Sequence, residues 1–184
     1  MPGRTIADCL AARVAARWPD TRVVHRLDMA TSGLMLFARG PEMQRRLSLA
    51  FAQRRVGKRY IAVVDGLVDA AAGEIDAPLV VDWPNRPKQK IDAAGGKPSL
   101  TRWRRLAFDE ALQRTRLELE PVTGRSHQLR VHLASIGHAI VGDDLYAPPS
   151  IAAAAPRLLL HAARLRFRHP LDGRELAFES PCPF

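Results

Sequence analysis

Short β-rich segments recur along most of the chain and constrain its fold more than any other feature. The clearest are residues 60–64, 100–106 and 114–120, and Leu117 and Leu119 fall on one face of the last. The sequence DEALQ between the second and third predicts a hairpin turn, and RLLLHAARLRF and RELAFES predict two final strands joined by HPLDG. Alternation with a period of two is typical of strands with one buried face, so a sheet must form much of the structure.

Three segments instead have helical spacing. Their apolar positions are Ile6, Leu10 and Val14; Met43, Leu47 and Phe51; and Leu129, Leu133 and Ile136. Thr5 is placed to cap the first helix, Pro41 to open the second, and Gly137 to end the third in a left-handed conformation. Helices mixed with strands in this order predict an α+β fold.

Two further segments are predicted to connect elements. The segment RLDMATSG lies between strand-like residues 22–25 and 34–38, with Thr31-Ser32-Gly33 as its turn. The segment WPNRPKQK, residues 83–90, contains two prolines that cannot donate to a ladder, so it is predicted to be a stiff, exposed, cationic loop. Arg54, Arg55 and Lys58 are expected at the carbonyl end of the second helix or on a solvated basic face.

The charge balance favours a polyanionic partner. The 184 residues contain 28 Lys and Arg against 19 Asp and Glu, a net charge of +9. Cys9 and Cys182 have no metal-ligand spacing, which predicts a reducing cytoplasm. No stretch approaches the roughly twenty apolar residues of a membrane helix, and Met1–Arg13 lacks a signal-peptide core, so no membrane partner is expected. There is no Walker, GxGxxG, HExxH or GxSxG motif.

The six histidines do not predict a metal site. His127, His132 and His138 are separated by five and six residues, which does not stack them on one helix face. They are expected in the core or in contact with RNA. His25-Arg26-Leu27-Asp28 is more informative, because a carboxylate between apolar residues can be partly desolvated and then depends on a nearby guanidinium. The structural alternative is an Asx turn at Asp28.

Four segments together resemble the RluA-type pseudouridine synthases, which isomerise uridine in RNA without a cofactor or metal. HRLDMATSGLMLFA is similar to their active-site motif, KRYIAVVDG to their tyrosine motif, GRSHQLRVHLASIGHAIVGDDLY to their arginine-bearing motif, and LLLHAARLRFRHPLDG to their closing segment. DWPNRPKQK and GKPSLT resemble the dual-specificity branch, which acts on a tRNA anticodon-loop uridine and on 23S rRNA. The resemblance implies a curved mixed or antiparallel sheet with flanking helices and an RNA cleft across it.

The resemblance also implies the site residues. Asp28 corresponds to the catalytic aspartate, Tyr60 to the active-site tyrosine, and Arg130 to the arginine that pairs with the aspartate. Asp28 has three open routes: attack on ribose C1′, addition to the uracil ring, or abstraction of a C2′ proton to give a glycal, the route that family knowledge favours. Without the resemblance, Arg130 reads as a helix-surface cation and Tyr60 as a buried strand residue.

An RNA partner requires residues that bind it. Arg26 is the candidate to fill the vacancy left by an extruded uridine, with a structural salt bridge as its alternative. The candidates for RNA contacts are Arg26, Arg86, Lys88, Lys90, Arg125 and His127. Trp83 and Trp103 are candidate stacking surfaces, with a solvated loop and the core as their alternatives.

The chain departs from the family pattern at its start. It begins at MPGRTIADCL without the strand and Lys-Pro stretch that normally precede the first helix, and no S4-type domain comes first. We therefore expect residues 1–184 to form a single catalytic domain, N-terminally truncated. The rival hypotheses are a truncated RNA-binding module with impaired catalysis and a glycoside-cleaving enzyme, which would need a second acid near Asp28.

Overall fold

The computed structural model describes residues 9–184, so the expected cap Thr5 and apolar Ile6 lie outside the described residues. The elements are α1 (Leu10–Arg17), β1 (Thr21–Val23), β2 (Ser32–Gly33), β3 (Phe37–Arg39), α2 (Gly40–Ala52), β4 (Gly57–Asp65), β5 (Ala72–Asp76), β6 (Leu79–Val81), β7 (Gln89–Ile91), β8 (Leu100–Asp109), β9 (Arg114–Pro121), α3 (Gln128–Ser135), α4 (Pro149–Ala152), β10 (Leu160–Arg168) and β11 (Glu175–Glu179). None of the helices described over residues 9–184 is both long and apolar enough to cross a membrane.

The main sheet has seven strands. Six follow the order β11-β10-β4-β9-β8-β5 with antiparallel neighbours, and β2 pairs in parallel with β10. Two small antiparallel pairs, β1–β3 and β6–β7, lie beside it. The predicted α+β class and the mixed sheet are confirmed, as is the β8–β9 hairpin.

One face of the main sheet carries the core. Along β9 every second residue from Thr115 to Pro121 is buried, including Leu117 and Leu119 as predicted. A register shift between Ala162 and Arg164 of β10 acts as a bulge. Because a bulge moves the following residues to the other face, Leu160 before it and Leu165 after it point to the same side.

Two helices cover this face at different places. Helix α3 packs Leu129 and Leu133 against the centre of the sheet, where Ala62 and Leu117 lie. Helix α2 supplies Leu47 to a second cluster with residues of β10. The stretch of sheet between the two clusters, around residues 58–60 of β4, is left open by both helices.

Several predicted boundaries are wrong. The Thr31-Ser32-Gly33 segment does not make the turn; the turn is Asp28–Thr31, closed by the Thr31 N–H on the Asp28 carbonyl at 2.9 Å, and Ser32–Gly33 is strand β2. Arg54, Arg55 and Lys58 lie beyond the end of α2. The segment 83–90 begins with a 3-10 turn as an exposed loop would, but its last residues enter β7. Ile136 is exposed rather than part of the apolar stripe.

The loop that leads to Asp28 is held at both sides. Before it, His25 stacks on Phe51 of α2 at 4.4 Å between ring centroids, and its Nε2 accepts the Leu36 N–H at 2.9 Å. After it, Gly33 lies directly against the backbone of Ala162 in β10. Both contacts place the turn containing Asp28 above the open stretch of the sheet.

We expect Gly33→Ala to lower the free energy of unfolding by about 3 kcal/mol. Gly33 has φ +108°, and a Cβ there would lie 2.3 Å from the Ala162 carbonyl oxygen. Gly173→Ala is the matched control, because Gly173 has φ +72° and no atom within 4 Å of the added Cβ. The control should lose only the backbone strain of about 1 kcal/mol. Equal losses in urea unfolding would contradict the packing argument.

We also expect stability to fall as the pH drops from about 6.5 to about 4, partly through His25. Burial, together with the Lys58 charge and against a hydrogen bond to the Arg26 backbone, lowers the pKa of His25 to about 4. Between the two pKa values the unfolded chain binds more protons, so unfolding becomes easier as pH falls.

The test compares wild type with His25→Gln, which keeps an acceptor for the Leu36 N–H but does not titrate. Burial also lowers the pKa of His127 and His132, so the variant should keep part of the pH dependence. Urea midpoints between pH 7.5 and 4 should show a shallower slope for the variant. If the slope of urea midpoint against pH were the same in both proteins, the assignment to His25 would be wrong.

Candidate active site

A cleft of about 450 Å³ occupies the open stretch between α2 and α3. Its walls come from the Asp28 loop, the end of α2, β4 and the loop that follows β9. The described residues that line it include Arg26, Asp28, Thr31, Arg54, Lys58, Tyr60, Gly124, Arg125 and Leu160. Asp28 is the one carboxylate in this described lining, which removes the second acid that a paired-carboxylate glycosidase requires.

Asp28 is largely enclosed at the edge of this cleft. Its side chain is 18% exposed, and its Oδ1 lies 3.9 Å from His127 Nε2. Burial lowers the pKa of His127, while the Asp28 charge raises it and Arg130 lowers it. The residue that the sequence assigned to RNA contact therefore also faces Asp28.

The orientation of His127 is fixed from its far side. Its Nδ1 is 2.6 Å from the Tyr146 hydroxyl, which accepts the Gln89 N–H at 2.8 Å. With that N–H on its oxygen, the Tyr146 O–H is free to donate to Nδ1, which leaves the imidazole proton on Nε2, toward Asp28. His127 also has φ +54°, a left-handed conformation that is strained for a residue with a Cβ.

Arg130 does not pair directly with Asp28, contrary to the prediction. Its guanidinium is buried and bidentate on Asp143, with Nε–Oδ2 at 2.8 Å and Nη2–Oδ1 at 2.6 Å, and it also reaches Asp144 at 3.0 Å. Arg130 pairs with Asp143 rather than with Asp28 because both Asp143 oxygens accept from the guanidinium in a buried bidentate geometry. Burial lowers the pKa of Arg130, but Asp143, Asp28 and Asp144 together raise it above its usual value.

Arg130 still belongs to the same network as Asp28. Its guanidinium carbon lies 5.2 Å from the centre of the Tyr146 ring, and Asp143 accepts the Leu145 and Tyr146 N–H groups. The buried pair thus holds Tyr146, which orients His127. Sequence reasoning assigned no role to Asp143 or Tyr146, although both lie in the GDDLY end of the arginine-bearing motif.

Tyr60 lies beside Asp28 on the floor of the cleft. Its ring packs against the main core cluster. Burial, reinforced by the Asp28 charge, raises the pKa of Tyr60 to about 12. The phenol is therefore protonated at neutral pH, and Tyr60 and Asp28 line the same cleft, an arrangement that suits a pyrimidine nucleoside.

The candidate RNA-binding residues fall in two places. Arg26 and Arg125 line the cleft. Arg86 and Lys88 lie in the loop of the β6–β7 hairpin and Lys90 lies in β7; Arg86 stacks over the exposed ring of Trp83 at 4.4 Å. Gln89 ties this hairpin to Tyr146. Trp103 instead packs against the core, as its structural alternative predicted.

The described residues contain no group of three or more His, Cys, Asp or Glu side chains arranged to hold a metal ion. The chemistry available from residues 9–184 is that of one enclosed carboxylate, one protonated phenol and several cations around an open cleft.

Comparisons with known proteins agree with this arrangement. A sequence model of RNA pseudouridylate synthases matches residues 12–135. The chain is 49% identical over its full length to the dual-specificity RNA pseudouridine synthase RluA of Vibrio cholerae, covering 75% of that protein, and 44% identical to that of Escherichia coli, covering 84%.

Solved structures give the same result. Human RNA pseudouridylate synthase domain containing 1 superposes with a TM-score of 0.83 at 32% identity, over 95% of this chain and 74% of that one. Human RNA pseudouridylate synthase domain containing 4 has a TM-score of 0.73 at 26% identity, over 89% and 72%. The chain belongs to the RNA pseudouridylate synthase family of isomerases, which convert uridine in RNA to pseudouridine.

Proposed function

We propose that this chain isomerises uridines in a tRNA anticodon stem-loop and in 23S rRNA, with Asp28 as the catalytic carboxylate. The observation that carries the residue assignment is the shared cleft. Asp28 and Tyr60 both line it, and its volume of about 450 Å³ leaves space for a nucleoside. The dual specificity is supported by the curated relatives, which carry that description in their names, and by the resemblance of residues 82–90 and 96–101 to that branch. A cytoplasmic location and a single catalytic domain over residues 1–184 remain predictions.

The reaction breaks the bond between ribose C1′ and uracil N1 and forms one between C1′ and C5. The base must turn within the cleft between these steps, and the proton on C5 is lost at the end. We favour the glycal route, in which Asp28 takes the C2′ proton as the base leaves and returns a proton to C2′ when C1′ joins C5. An enclosed carboxylate suits a proton transfer that water must not intercept.

His127 and Arg130 support Asp28 in this proposal. The His127 Nε2–H is directed toward Asp28, whose Oδ1 lies 3.9 Å away, and helps to orient the carboxylate. Arg130 acts over a longer distance and by holding Tyr146, so its catalytic role is indirect. Tyr60 provides a stacking surface for uracil and a hydroxyl near C5, where it can assist the final deprotonation.

Entry of the substrate requires the target uridine to leave its helix or loop stack. Extrusion costs a few kcal/mol for unstacking. Arg26 is exposed at the cleft mouth and makes no ion pair within the described residues, so its planar guanidinium is available to fill the vacancy. Arg86, Lys88 and Lys90 are placed to follow phosphates outside the cleft.

Asp28→Asn should reduce turnover about 1,000-fold or more, because the amide cannot act as a base or nucleophile. The assay is single-turnover conversion of uridine to pseudouridine on tRNA and 23S rRNA transcripts. Asp69→Asn, at an exposed carboxylate outside the cleft, is the control. Wild-type RNA binding without product would favour the non-catalytic module, and undiminished turnover by Asp28→Asn would refute the mechanism.

Tyr60→Phe should lower kcat about 10- to 100-fold and leave RNA affinity nearly unchanged. The phenyl ring keeps the stacking surface, whereas the hydroxyl near the reacting base is lost. Filter binding and single-turnover rates on the same transcript separate the two effects. A loss confined to affinity would show that Tyr60 only binds.

A further inference from the structure

Two cations on the cleft wall are not used by the reaction described above. Lys58 lies on β4 two residues before Tyr60, so both side chains point to the same face, separated by about 6.6 Å along the strand. Arg54 lies just beyond α2 and lines the same cleft. The pair therefore flanks the position assigned to the base.

Lys58 is enclosed without an ion-pair partner. Within residues 9–184 no carboxylate lies within ion-pair distance of its ammonium group. Burial and the neighbouring Arg54 charge lower the pKa of Lys58, against an opposing contribution from Glu120. Glu120 itself is paired with Arg59, which points to the opposite face of the sheet.

The ammonium group lies next to Gly124, a residue without a side chain. A Cβ built on Gly124 would lie 3.6 Å from Lys58 Nζ, so the glycine leaves space above the charge. Enclosing a cation without a counter-charge is unfavourable, and protein cations in such positions usually have an anionic partner. Here the space around the charge is the cleft itself.

The backbone of Arg54 closes the end of helix α2. Arg54 has φ +58°, a conformation that helix ends normally assign to glycine. Three non-glycine residues in the described chain have positive φ: Arg54, Gln113 and His127. Gln113 lies in the β8–β9 hairpin turn, whereas Arg54 borders the cleft and His127 faces Asp28. At Arg54 this conformation belongs to the helix end, where the Arg54 and Arg55 N–H groups donate to the Phe51 and Ala50 carbonyls, and the side chain that follows lines the cleft.

We propose that Lys58 and Arg54 form a subsite for one RNA backbone phosphate adjacent to the extruded uridine. The phosphodiester supplies the negative charge that the two cations lack. With Tyr60 under the base and Lys58 at the phosphate, the subsite fixes the nucleotide at two points while the base is detached. This inference rests on the proposed function, because it requires a uridine of RNA in the cleft.

The test uses the full chain and an anticodon stem-loop RNA in which one phosphate at a time, 5′ or 3′ of the target uridine, is replaced by a neutral methylphosphonate. Wild type should bind one of these two RNAs about tenfold more weakly than the native RNA. Lys58→Gln should bind native RNA about tenfold more weakly than wild type does. It should bind the native RNA and the RNA with the sensitive methylphosphonate equally well. The slope of the logarithm of its RNA affinity against the logarithm of salt concentration should also become shallower by about one, as expected for the loss of one phosphate contact.

Lys58→Arg keeps a cation and should keep the discrimination, which separates loss of charge from loss of fold. Arg168→Gln is the control, because Arg168 is exposed on β10 and lies outside the cleft. Wild-type indifference to both methylphosphonates, or Lys58→Gln discriminating as well as wild type, overturns the subsite. If either result accompanies normal pseudouridine formation, the proposed function stands; if wild type forms no product, the function itself fails.

Discussion

The site depends on the burial of one face of the sheet, with a gap between the two helices that bury it. Every inward position of β9 is buried, and the bulge in β10 keeps the apolar residues on both sides of it on the same face. Without the bulge, Leu165 would point away from α2, and the cluster that Leu165 forms with Leu47 would be lost. The bulge therefore allows two helices to share a face, and the cleft is the space that neither helix fills.

A buried polar network then positions His127 beside Asp28. Arg130 and Asp143 are almost fully buried, and such a pair is not itself a strong source of stability, because desolvation offsets much of its attraction. Its effect is positional: Asp143 also accepts backbone N–H groups at the start of the Tyr146 segment, and Tyr146 orients His127. Removing Arg130 would leave the buried Asp143 charge without its partner, whereas removing Asp143 would leave Arg130 with only the exposed Asp144.

The sequence predicted most elements because their patterns are local. Alternation in β9, the helical spacing of α3 and the proline at the start of α2 are all set by neighbours in the chain. Gly33 was misread as a turn residue, since its requirement for a missing side chain comes from Ala162 across the sheet. Period-two reasoning cannot detect such a contact between distant segments.

The candidate site was found through motif resemblance rather than pattern, and the same limit applies. Resemblance located Asp28, Tyr60 and Arg130, but the partner of Arg130 depends on which carboxylate the fold brings near it. Lys58 was interpreted as a cation near a helix end, because its place on the cleft wall follows from strand pairing. Burial and pairing in three dimensions decided both cases.

The two faces of the sheet differ in whether their positive side chains have carboxylate partners. On the outer face arginines are matched with glutamates, as in the pairs Arg59–Glu120, Arg104–Glu118, Arg102–Glu74, Arg164–Glu179 and Arg166–Glu175. Arg26, Arg54 and Lys58, around the cleft, have no such match within the described residues. The cations around the cleft therefore keep a local positive charge that neighbouring carboxylates do not offset, and this charge attracts a nucleic acid before any contact forms. Dissolved salt would screen that attraction and slow the association of a nucleic acid with the cleft.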